Sequence, residues 1–175
     1  MNATAALLSK DEHPTSEYVA QLAALLTQHG WMMATAESCT GGLIAGACTE
    51  RPGSSQWLDC GFITYSNRAK SAMLDVPAAL IATHGAVSEA VALAMARGAA
   101  QQAQTQVSVA VTGVAGPDGG SAEKPVGTVW FAWQVANHAD AEVMRFEGDR
   151  HAVRQATVNH ALRGLVLRIA ALSRG

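Results

Sequence analysis

One stretch limits the possible folds more than any other. Val107, Val109 and Val111 alternate as a strand does, then run unbroken into Thr112-Gly113-Val114-Ala115-Gly116-Pro117-Asp118-Gly119-Gly120. Nothing so rich in Gly continues as regular structure, so a strand must end there and hand over to a loop. The same plan stands upstream. Trp31 to Ala36 is a short apolar run, Glu37-Ser38-Cys39-Thr40-Gly41-Gly42 is a turn, and Leu43 to Cys48 reads as a buried helix stopped by Pro52 and Gly53. Strand, tight turn and helix in succession are the unit of layered α/β domains.

The remainder agrees with that plan. Pro14 and Thr15 open a helix with Val19, Leu22, Leu25 and Leu26 at helical spacing, and Gly30 stops it. Leu58 to Tyr65 reads as a strand, Asn67 to Met73 as a short helix, and Pro77 starts another before Gly85 breaks the pattern. Ser88 is an N-cap for a helix running to about Gln104. Thr128 to Val135 and Ala141 to Phe146 read as strands joined by a turn from Asn137 to Asp140, which makes the sheet mixed. Arg150 to Leu172 reads as a terminal helix with Val153, Leu162, Leu165, Val166 and Ile169 inward. Residues 1–14 read as a flexible arm and 15–175 as a single domain.

Composition removes several classes of function. A net charge of −2 and a pI near 6.3 give no electrostatic case for a nucleic-acid partner. No apolar run approaches the ~20 residues that span a bilayer, so no membrane role is expected. The residues around Lys10, Asp11 and Glu12 lack the pattern of a signal peptide. Cys39, Cys48 and Cys60 include no CxxC pair and read as reduced thiols of a cytoplasmic protein. The six histidines share no ligand spacing, so neither a metal nor a cofactor is expected.

The turn at Glu37–Gly42 concentrates backbone donors and the positive end of a helix dipole, with the hydroxyls of Ser38 and Thr40 beside Gly41 and Gly42. Such a turn suits an anion or a developing oxyanion. On spacing alone, Ser38 or Thr40 reads more simply as an N-cap. Cys39 has no nearby His and reads as a small buried residue. Tyr65 at a strand end and Lys70 in the next helix can aim a phenol and an amine into one cleft, although a lone Lys there is more often on the surface. A buried Lys with a lowered pKa can activate a serine, provided that it reaches Ser38. The loop Gly113–Gly120 leaves a strand end, where ligand crevices form in α/β sheets. Arg150 and Arg154 open the last helix against the dipole and are candidate partners for phosphate or carboxylate.

Seven blocks in order then resemble one family. They are Ala36–Gly42, Gly53-Ser54-Ser55, Thr64-Tyr65-Ser66-Asn67 with Lys70, His84–Ser88, Thr112–Gly120, Lys124–Val129 and Phe146–Arg150. Over about Tyr18 to Leu172 the chain resembles the CinA C-terminal domain family of nicotinamide-nucleotide amidohydrolases in its stand-alone form. The resemblance implies a three-layer α/β/α domain with a mixed sheet of about five strands. It implies hydrolysis of nicotinamide mononucleotide to nicotinate mononucleotide and ammonia, and a homo-oligomer is expected.

On that footing Ser38 is the expected nucleophile, with Lys70 as base and Tyr65 assisting it. Amides after Ser38 would hold the oxyanion, and Arg150 would help keep Lys70 unprotonated. Thr40, Gly41, Gly42, Ser55, Thr112, Gly113, Gly116 and Arg150 are the expected substrate contacts. A second mechanism exchanges the roles: the Ser38 turn cradles phosphate while Lys70 and Tyr65 activate water. A non-catalytic nucleotide-binding module and a serine amidase for another small amide are the rival functions.

Overall fold

In the computed structural model of the chain, residues 14–172 are described. The arm read over residues 1–14 lies outside them except for Pro14. Helix α1 (Thr15–His29) starts after extended Pro14 and ends where Gly30 turns left-handed at φ 63°, its amide donating to the carbonyls of Leu26 and Thr27. Next come β1 (Met33–Glu37), α2 (Leu43–Thr49), a 3-10 turn (Ser54–Gln56) and β2 (Leu58–Ile63). They are followed by α3 (Asn67–Leu74), α4 (Ala78–His84), α5 (Glu89–Ala103), β3 (Val107–Gly113), β4 (Thr128–Val135), β5 (His138–Arg145) and α6 (Arg150–Leu172).

The five strands form one mixed sheet in the order β2-β1-β3-β4-β5. Strand β1 runs parallel to β2 and β3, whereas β4 is antiparallel to β3 and β5 to β4. Alternation along the strands decides which helices cover which face. Met33, Val107, Val109, Val111, Phe131 and Trp133 pack with Leu22, Ile44, Leu162 and Leu165 from α1, α2 and α6. Ala34, Ala36, Ala110 and Ala132 point the other way, against Leu74, Ile81, Val91 and Met95 from α3, α4 and α5. The result is the expected three-layer α/β/α sandwich.

The alanine face explains the small residues of α5: the helix can lie close to the sheet and to α3. At Gly98 a Cβ would stand 2.1 Å from the carbonyl oxygen of Leu74, the last residue of α3. That contact fixes the helix carrying Lys70.

Several boundaries differ from the sequence reading: β2 ends at Ile63 rather than Tyr65, and β3 runs on through Gly113. Strand β1 extends to Glu37, which still pairs with Ile63 and Val111, before the turn begins. Strand β5 starts at His138, opposite Val135, so the hairpin turn is only Ala136 and Asn137, with Ala136 at φ 50°. The polar residues that suggested a longer turn belong to an edge strand, and Asp140 there forms a bidentate pair with Arg168.

Candidate active site

The ends of β2, β1 and β3 lie side by side. The Ser38 amide donates to Val111 O at 3.1 Å, and the Thr64 amide donates to Glu37 O at 2.8 Å. Alternation therefore sends Glu37 toward α2 and Ser38 toward α3.

Glu37 is fully buried and collects five donors. Its Oε1 accepts from Thr35 Oγ1 at 3.1 Å and from the Ala45 amide at 2.9 Å. Its Oε2 accepts from Thr40 Oγ1 at 2.7 Å and from the amides of Gly42 and Ile44, each at 3.0 Å. A carboxylate so placed satisfies the orphan donors of α2 and meets the positive end of its dipole. The N-cap position itself belongs to Gly42, at φ 102°, which has no side chain to offer. Ser38 is thus released from capping. Sequence reasoning passed over Glu37; the signal was an acidic residue ending a strand directly before a turn into a helix.

Lys70 enters from the opposite face. Ser66 caps α3 by accepting from the Ala69 amide at 3.1 Å, which turns the fourth residue of the helix inward. Lys70 is 1% exposed. Its Nζ donates to Thr64 O at 2.9 Å, makes a longer contact of 3.5 Å to Tyr65 O, and stands 2.9 Å from Ser38 Oγ. Burial pushes its pKa below the ordinary lysine value, with Cys39 opposing weakly. No carboxylate pairs with it among the described residues. A neutral amine has two hydrogens and one lone pair. In that form, with its two hydrogens on the two carbonyls, the amine would turn its lone pair to the Ser38 hydroxyl; protonated, it donates there instead.

Tyr65 is 60% exposed, and its phenol is held by Arg150 rather than by Lys70: Arg150 Nη2 donates to Tyr65 Oη at 3.0 Å. Arg150 Nη1 donates to Gly116 O at 2.9 Å, so one guanidinium ties the glycine-rich loop to the Tyr65 strand end. Thr112 Oγ1 is buried and donates to Ala86 O at 2.8 Å.

Gly113 and Gly116 owe their lack of a side chain to packing. A Cβ at Gly113 would meet Thr128 O at 2.7 Å, and one at Gly116, whose φ is 78°, would meet Val126 at 2.5 Å. Thr40 and Gly42 give their donors to Glu37, and the Gly41 amide donates to Ser38 O at 3.2 Å. Ser55 is not brought to this group. It lies in the 3-10 turn before Leu58, the residue that pairs with the start of β1, roughly 15 Å along the strands from Ser38.

Burial raises the Cys39 thiol to about 11, so it stays protonated beside Ser38. Among the described residues no three of His, Cys, Asp and Glu gather as a metal site would require.

The chain matches the CinA C-terminal domain over residues 15–169. It is 49% identical over 153 residues to the nicotinamide-nucleotide amidohydrolase PncC of Pseudomonas putida, covering 87% of this chain and 96% of that protein. A CinA-like protein of Syntrophobacter fumaroxidans is 52% identical over 137 residues, 78% of this chain but only 32% of the longer relative. A solved CinA superfamily protein of Klebsiella pneumoniae superposes with a TM-score of 0.87 at 38% identity, over 91% of this chain and 99% of that one. The chain belongs to the CinA C-terminal domain family.

Proposed function

We propose that this protein hydrolyses the carboxamide of nicotinamide mononucleotide to nicotinate mononucleotide and ammonia, with Ser38 as nucleophile and Lys70 as the proton carrier. The substrate is taken from the named relative in Pseudomonas putida. The observation that carries the mechanism is the set of contacts around Lys70 Nζ: two carbonyls and one serine hydroxyl, in a buried place with no counter-ion among the described residues.

Ser38 Oγ attacks the carboxamide carbon while its proton passes to Lys70 Nζ. The tetrahedral intermediate collapses as Lys70 returns that proton to the departing nitrogen, so ammonia leaves and an ester remains on Ser38. Water, deprotonated by the same amine, cleaves the ester and restores the hydroxyl.

Glu37 decides which donors can serve the oxyanion. The amides of Gly42, Ile44 and Ala45 are committed to its carboxylate. In this reading the oxyanion is held by the amides of Cys39 and Thr40, next to the nucleophile. The same commitment weighs against a phosphate cradle in this turn, because its amides already serve an anion. The phosphate is placed at Arg150 and the loop through Gly113 and Gly116, with Thr112 lining the floor. Tyr65 acts mainly by holding Arg150.

Residues 15–175 are read as one working unit in the cytoplasm, in keeping with three free cysteines. We read it as a homo-oligomer, which would cover Ile63 and Met73, exposed on the edge strand β2 and on α3. Purified protein should release ammonia and nicotinate mononucleotide in equal amounts from nicotinamide mononucleotide, with EDTA present. Folded protein that binds the nucleotide without releasing ammonia would instead support a binding module.

A further inference from the structure

Two guanidiniums project from one side of α6, Arg150 at its start and Arg154 one turn on. Arg154 reaches the Ser38 turn and Arg150 the glycine-rich loop and Tyr65, and both rest only on neutral oxygens. Arg150 holds Gly116 O and Tyr65 Oη, while Arg154 Nη2 donates to Thr40 O at 2.8 Å. Neither forms a salt bridge among the described residues. Asp149, the adjacent carboxylate, accepts from the Ala152 amide at 2.8 Å and forms no salt bridge with either guanidinium among the described residues.

Arg154 is the more costly of the two. It is only partly exposed, and its Nε is buried without a hydrogen-bond partner. A half-buried cation whose direct partner is a neutral carbonyl carries a desolvation penalty that no salt bridge offsets among the described residues. Its Nη2 opens onto exposed Gly41, where even a Cβ would stand 3.7 Å away. A residue with φ 62° and no side chain leaves that side of the guanidinium clear.

We propose that Arg154 is the second arm of a phosphate seat shared with Arg150, and that it makes the protein select phosphorylated over unphosphorylated ligands. This rests on the nucleotide reading above. A guanidinium keeps further donors for a phosphate after giving one to Thr40 O, and its charge then gains the partner that the fold withholds.

The test uses nicotinate mononucleotide and nicotinate riboside, which differ only by the phosphate and have no carboxamide to hydrolyse. Their dissociation constants are measured by calorimetry on wild type, Arg154→Gln and Gly41→Asp. The last variant sets a carboxylate beside the guanidinium at a backbone position that Asp tolerates. Both variants should weaken the mononucleotide roughly 10- to 100-fold while leaving the riboside within about threefold. Equal weakening of both ligands, or an unchanged ratio, overturns the assignment of Arg154. Wild type that binds neither ligand overturns the nucleotide reading, and this proposal with it.

Discussion

Lys70 Nζ stands 2.9 Å from Ser38 Oγ, although the two side chains come from separate elements and Lys70 is almost wholly buried. The approach comes from neighbouring strand ends. Ser38 follows β1 and Thr64 follows β2, and Lys70 reaches back over that end from the first turns of α3. The amine is therefore held between two carbonyls and a hydroxyl, where burial favours its neutral form.

Ser38→Ala removes the nucleophile and leaves the turn intact, since Glu37 rather than Ser38 caps α2. Ammonia release from nicotinamide mononucleotide should fall by about 10⁴-fold or more, with the thermal midpoint nearly unchanged. Near-normal turnover in the variant would falsify the nucleophile assignment.

The rate should depend on pH through Lys70. With its pKa lowered by burial, kcat/KM should rise with pH and level off below the ordinary lysine range near 10.4. Lys70→Arg, always protonated, should show no such limb and almost no activity. Stability carries the same signature. Between the folded and unfolded pKa values the unfolded chain holds a proton that the folded one lacks, so wild type gains stability over Lys70→Met as pH rises through that window. A pH-independent difference between the two melting curves would mean that Lys70 is not shifted downward.

Tyr65→Phe separates two roles for the phenol. As an anchor for Arg150, its loss should cost roughly tenfold in kcat/KM, mainly through KM. A fall confined to kcat, with altered pH dependence, would instead make the phenol a proton carrier.

Glu37→Gln keeps the shape and removes the charge. Five donors converge on the carboxylate, and an amide nitrogen must face at least one backbone N–H. Unfolding free energy from urea titration should drop by about 2–4 kcal/mol. An unchanged midpoint would contradict the capping role.

Gly98→Ala tests the seat of α3 from outside the site. Its Cβ would collide with Leu74 O, so α5 or α3 must shift, at a cost of about 1–3 kcal/mol. Activity should fall with it, because Lys70 rides on α3. Full activity together with lost stability would show that the shift is taken up by α5 alone.

Much of this was legible in the chain. The run from Val107 into Thr112–Gly120 marked a strand end, and Pro14, Gly30 and Ser88 marked helix limits that the structure keeps. The proximity of Ser38, Thr64 and Thr112 follows from parallel pairing of β1 with both neighbours, a long-range register that local patterns do not encode. Hence Lys70 by itself looked like a surface residue, and Ser55, expected from the resemblance as a substrate contact, lies at the far end of the strands from Ser38. Glu37 was hidden for a related reason: its five partners include Thr35 upstream and Ala45 eight residues on, brought together only when the turn closes.

Glu37 and Ser38 are consecutive, yet the pleat sends them to opposite sides of the sheet. One side chain answers to folding and the other to chemistry. Selection can therefore act on the two positions separately: a lineage could exchange Ser38 and lose turnover while inheriting an undamaged turn. Descendants of this fold that keep the acid and lack the hydroxyl would be stable proteins free to take up other work.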